Sequence, residues 1–160
     1  MDNRRRALLA GGVEKPLYIF QPGFTDVENC NLVLGSNMSK SIYKHSGSGV
    51  EGCLRLRATI GPRTAWFHIN ATKYKKLVAV MNADKMTGMN KTRIGLLTSE
   101  TNNEDNLIGK KSVGYTSSPD FLTFEFDVSQ YSGDIIFGVC VTDTGYVFIK
   151  ELWLEYKEGD

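Results

Sequence analysis

The stretch Cys53-Leu54-Arg55-Leu56-Arg57-Ala58-Thr59-Ile60-Gly61-Pro62-Arg63-Thr64-Ala65-Trp66-Phe67-His68-Ile69-Asn70 decides the fold class. Leu54, Leu56, Ala58 and Ile60 alternate with Arg55, Arg57 and Thr59, a period of two that sends one set into a core and the other to the opposite face. Gly61-Pro62-Arg63-Thr64 interrupts the run, after which Ala65, Phe67 and Ile69 alternate with Trp66, His68 and Asn70. Two half-buried strands around one break predict a β-hairpin with its turn at residues 61 to 64. In that register Thr59 faces Trp66, Arg57 faces His68 and Arg55 faces Asn70.

Outward from this pair the same period returns. Leu122, Phe124, Phe126 and Val128 alternate with Thr123, Glu125 and Asp127, and Ile135, Phe137, Val139 and Val141 share one face of the next strand. Lys76 to Asn82 is apolar on both faces, as in a central strand covered on both sides. Further strands are expected at Leu17 to Phe20, Leu32 to Leu34, Arg93 to Thr98, Val113 to Thr116 and Tyr146 to Tyr156. Residues 36 to 52, rich in Ser, Gly, Lys and Asn, read as a long loop with at most a short strand at Ile42-Tyr43. About eight to ten strands without a helical stripe predict an all-β protein, a β-sandwich or barrel, and the expectation is the two-sheet antiparallel β-sandwich. Leu54, Leu56, Phe67, Ile69, Phe124, Phe126, Phe137 and Val139 are its expected core.

The composition agrees. With 160 residues, 41% of them hydrophobic and 23% charged, the chain is neither disordered nor marked by a membrane-spanning run, and no membrane insertion is expected. The net charge is +1, and Arg4, Arg5, Arg6 and Lys15 against Asp2 and Glu14 concentrate the basic excess at the start. A basic arm over residues 1–15 and one domain over 16–160 are therefore expected. The balanced remainder lacks the concentrated positive surface that a nucleic-acid partner requires. Ala7 to Ala10 is shorter than the apolar stretch of about 7 to 15 residues in a signal peptide, so synthesis in the cytoplasm without one is expected. Cys30, Cys53 and Cys140, an odd set with no CxxC spacing, imply neither a disulfide framework nor a zinc site.

Gly47-Ser48-Gly49-Val50-Glu51-Gly52 spells the dinucleotide fingerprint, but a polar loop precedes it and a strand follows, so it reads as a flexible loop. The two histidines, His45 and His68, belong to no nucleophile elbow or HExxH pair, and the expectation is a protein with no enzymatic activity and no cofactor. Asn102, Asn103, Glu104, Asp105 and Asn106 offer oxygen ligands without the spacing of a calcium loop, and no metal is expected. The candidate ligand site is the polar face of the hairpin, Arg55, Arg57, Trp66, His68 and Asn70. An indole stacks on the apolar face of a sugar ring, and guanidinium and amide donors fork to hydroxyls or carboxylates. The alternative is that Trp66 packs under a loop and the arginines are solvated. Failing this face, the loops around Asp84 to Asn90 and Asp143 to Gly145 are the next place for a site.

Two strings carry a family resemblance: His68-Ile69-Asn70-Ala71-Thr72-Lys73-Tyr74-Lys75-Lys76-Leu77, and Phe124-Glu125-Phe126-Asp127-Val128-Ser129-Gln130-Tyr131-Ser132-Gly133-Asp134-Ile135-Ile136-Phe137-Gly138-Val139. They resemble strings of galactose-binding-like jelly rolls, with Asn70 at a position where those modules usually carry aspartate. The ending Val147-Phe148-Ile149-Lys150-Glu151-Leu152-Trp153-Leu154-Glu155 and the opening Asn3-Arg4-Arg5-Arg6-Ala7-Leu8-Leu9-Ala10 are similar to those of such proteins among bacteriophage and prophage minor structural components. The resemblance implies a non-enzymatic tail or baseplate module whose partners are carbohydrate or other virion subunits, with a homo-oligomer as one assembly. A carbohydrate-binding module unconnected with a virion is the alternative, and a small glycan hydrolase on the same scaffold a third.

Overall fold

The computed structural model describes residues 15–83, 92–113 and 120–158. Its strands are β1 (Leu17–Phe20), β2 (Asn31–Leu34), β3 (Met38–His45), β4 (Val50–Ala58), β5 (Arg63–Asn70), β6 (Tyr74–Asn82), β7 (Thr92–Leu97), β8 (Ile108–Ser112), β9 (Leu122–Asp127), β10 (Asp134–Val141) and β11 (Gly145–Tyr156). A single 3-10 turn, Glu104–Asn106, is the only helical element among the described residues. The strands form two sheets, β3-β4-β11-β6-β9 with β1 added alongside β11, and β2-β5-β10-β7-β8. Every strand pair is antiparallel, so the chain is the expected two-sheet β-sandwich.

The core lies between the sheets. Leu54, Leu56, Leu77, Met81, Ile149 and Leu152 from the six-stranded sheet meet Phe67, Ile94, Phe137 and Val139 from the five-stranded one. All eight expected core residues belong here: seven are buried, and Phe124, partly buried, packs against them. Phe137 joins the layers, its ring centroid 5.9 Å from Phe67 and 5.6 Å from Phe126.

The hairpin does not form. β4 pairs with β3 and β11, whereas β5 pairs with β2 and β10 in the other sheet. Thr59 still bonds back toward β3, its N–H donating to the Asn37 carbonyl at 3.0 Å, and the chain then crosses the sandwich. At that corner Gly61 packs so close to Asp143 that a Cβ would fall 2.6 Å from the Asp143 backbone. A hairpin and a crossover leave the same alternation in the sequence, because both turn Leu54, Leu56, Phe67 and Ile69 toward one core. They differ in where the polar sets go, and here those sets lie on opposite outer surfaces of the molecule.

Two edge strands escape the hydrophobic pattern. β3, with the start of β4 at Val50, occupies most of what reads as a loop at 36 to 52, and β8 precedes the strand expected at Val113 to Thr116, of which 114 to 116 lie outside the described residues. Lysines at 40 and 44 on β3 and at 110 and 111 on β8 place charge on both edges, which discourages pairing with another chain. The expected arm is outside the described residues up to residue 14.

Candidate functional site

The structure separates the five residues of the expected site. Arg55 and Arg57 lie on the outer face of the six-stranded sheet, Trp66 and His68 on the outer face of the five-stranded sheet. Asn70, exposed at the end of β5, accepts a 3.0 Å hydrogen bond from the Thr72 amide.

The five-stranded face is closed by the protein itself. The segment from Thr98 to Leu107 folds back over β5, β10 and β7, and Leu107 joins Trp66, Leu97, Ile136 and Cys140 in a second apolar cluster with Val33 at its margin. Trp66 is 8% exposed, and its Nε1 donates to the Thr101 carbonyl at 3.1 Å. His68 Nε2 lies 2.7 Å from Glu100 Oε2. The indole therefore packs under a loop, as in the alternative reading, and is withdrawn from ligand stacking. The acidic cluster is part of this flap: Asn103 caps the 3-10 turn through the Asp105 amide, and Lys110 Nζ stands 3.9 Å from Glu104 and 3.7 Å from Asp105.

Among the described residues the six-stranded face is open. A groove of about 790 Å³ runs across it, lined by Ser48, Val80, Asp120, Phe121, Leu122, Thr123, Lys150, Glu151 and Trp153. Trp153 forms one wall, with the Tyr18 ring 5.8 Å away and inclined at 43°. Burial, and then the Glu151 carboxylate that accepts its phenolic hydrogen bond, hold Tyr18 above the ordinary tyrosine pKa. A register shift between Ile149 and Glu151 marks a β-bulge in β11. A bulge turns consecutive side chains toward one face, and here both Lys150 and Glu151 reach the groove.

Beyond the groove the same face carries an aromatic and basic patch. Arg55 Cζ sits 3.9 Å from the centroid of Tyr43 on β3 and 4.8 Å from that of Tyr146 on β11, while Arg57 Cζ is 5.6 Å from Tyr146. Between patch and groove, the buried His45 ring meets Phe148 edge-on at 4.8 Å and Phe121 at 5.1 Å. Sequence reading missed Tyr18, Tyr43, Tyr146 and Trp153. One signal was available for β11: its core positions Val147, Ile149, Leu152 and Leu154 are spaced two, three and two, the phase slip that a bulge produces. Of the fallback loops, 84 to 90 lies outside the described residues, and Asp143 packs against Gly61 at the corner.

No protein-family model and no curated protein matches the chain. Among solved structures it is similar to a mutant family 29 carbohydrate-binding module used to probe ligand recognition, with 14% identity, a TM-score of 0.58, and coverage of 88% of this chain and 91% of that one. A second family 29 module, from Piromyces equi, gives 12% identity and a TM-score of 0.54 over 88% of this chain and 90% of that one. A family 61 module in complex with β-1,4-galactotriose gives 12% identity and a TM-score of 0.52 over 81% and 90% respectively. The chain thus has the β-sandwich fold found in these carbohydrate-binding modules.

Proposed function

We propose that this protein binds carbohydrate, without catalysis, on the outer face of its six-stranded sheet. The observation that carries the reading is the wall of the groove: Trp153, backed by Tyr18, faces a channel that also receives Lys150, Glu151 and Thr123. The C–H face of a pyranose packs on an indole, while its hydroxyls need both donors and acceptors nearby. The ammonium, carboxylate and hydroxyl in this groove supply both. The fold neighbours, themselves carbohydrate-binding modules, support binding over hydrolysis.

A place in a virion rests on the sequence resemblance alone. A carbohydrate-binding module unconnected with a virion accounts equally for the groove and for the neighbours.

The test is titration calorimetry with soluble glucan, xylan, galactan and polygalacturonate, on the native protein and on Trp153→Ala. The native protein should bind at least one polymer, and the variant should bind it at least tenfold more weakly with little change in melting temperature. Binding of none of the four, or undiminished binding by Trp153→Ala, would overturn the assignment. Release of reducing ends during the titration would overturn the absence of catalysis.

A further inference from the structure

The basic patch beside the groove deepens that reading and rests on it. Arg55 and Arg57 project from β4 between β3 and β11, and the registry sets Ser41 beside Arg55, and Ser39 and Tyr146 beside Arg57. No carboxylate comes within 4.0 Å of either guanidinium among the described residues, although Lys40, Lys44, Lys75, Lys76 and Lys110 all have acidic partners at such distances. Arg55 Nε is buried with no hydrogen-bond partner among the described residues. Its guanidinium is held instead by the Tyr43 and Tyr146 rings, which arrive from the strands on either side. Stacking against aromatic rings fixes a guanidinium in direction while leaving its N–H groups unspent. Two such cations, flanked by hydroxyls and by a Tyr43 ring that is 51% exposed, form a surface for a planar anion attached to a sugar ring. A carboxylate matches the guanidinium fork, and the ring that bears it can rest on tyrosine.

We infer that Arg55 and Arg57, set between Tyr43 and Tyr146, recognise the carboxylate of uronic acid units, so that the preferred polymer is an acidic polysaccharide. The same strands that build the patch continue to the groove through β11, so one chain crossing the sheet can engage both.

The experiment compares polygalacturonate, its methyl ester and neutral galactan at low and high salt, with dextran sulfate as a polyanion lacking the carboxylate. The native protein should bind polygalacturonate at least tenfold more tightly than its methyl ester, and the difference should shrink as salt screens the charge. Arg55→Gln with Arg57→Gln should abolish that preference while keeping residual binding to the ester or to galactan, whereas Trp153→Ala weakens every polymer. Equal binding of acid and ester would overturn this inference and leave the carbohydrate reading standing. Dextran sulfate binding as tightly as polygalacturonate would reduce the patch to a general anion surface and overturn it as well. Binding of no polymer would remove both. Should the double variant lose its native melting transition, the ester comparison on the native protein alone decides.

Discussion

The Trp66 indole nitrogen donates to the carbonyl of Thr101 at 3.1 Å, and this bond fastens the flap to the five-stranded sheet. The ring is packed with Leu97, Leu107, Ile136 and Cys140, so it belongs to the protein interior. Trp66→Ala should cost about 3 to 5 kcal/mol of stability through the cavity it leaves. Polysaccharide binding by the folded variant should be unchanged, because the indole and the groove lie on opposite outer surfaces. Denaturant unfolding together with a glycan titration checks both halves. A stable variant with weakened binding would return Trp66 to the ligand.

The burial of that face was readable from β10. Ile135-Ile136-Phe137-Gly138-Val139-Cys140-Val141 is apolar at both parities, which means cover on both sides, and the neighbouring β5 shares that covered outer face. The strands and their core sets were legible because alternation reports which residues face inward. Alternation does not report partners, so the crossover at Gly61 and a hairpin read alike in the sequence. β3 was nearly invisible for another reason. Met38–His45 is an edge strand held by its backbone pairing to β4, with most of its side chains in solvent, so no hydrophobic period marks it. Tyr43 was lost with it, and with Tyr43 half of the aromatic setting of Arg55.

Phe137 bridges the sheets through Phe67 on its own sheet and Phe126 on the other. Phe126→Ala should cost about 3 to 5 kcal/mol, since its ring is 4% exposed and the surrounding layer cannot collapse fully. Combined with Phe137→Ala, the double-mutant cycle should show a coupling of about 0.5 to 1.5 kcal/mol, the scale of a direct aromatic pair. Strict additivity would mean that the two rings do not meet in solution.

The corner at Gly61 has no room for a side chain. A Cβ there would meet the backbone nitrogen and Cα of Asp143 at 2.6 Å, and backbone cannot swing aside as a flexible side chain can. Gly61→Ala should therefore destabilise by about 1 to 3 kcal/mol, as overpacking does elsewhere. The loss should appear in the denaturation midpoint with the slope of the transition unchanged. A neutral substitution would show that the crossover between the sheets is looser than this contact requires.

Cys30 carries the pH-dependent prediction. Burial pushes its thiol up to about 12, against a smaller opposing effect of Lys40 and with a still smaller contribution from Asp26 in the same direction as burial. In the unfolded chain the thiol titrates near its ordinary value of about 8.5. Between those values the unfolded state binds fewer protons than the folded state, so stability falls as pH rises. The contribution is complete below about 8.5 and is lost progressively as pH rises from there toward the folded-state value. Burial also raises the thiols of Cys53 and Cys140. All three should consequently react slowly with a thiol reagent at pH 8 until denaturant is added. Lysine and tyrosine titration also bears on alkaline stability, so the informative comparison is Cys30→Ala against the native protein. The variant should lose stability less steeply between pH 8.5 and 11, and parallel pH profiles would show that the Cys30 thiol is open to solvent.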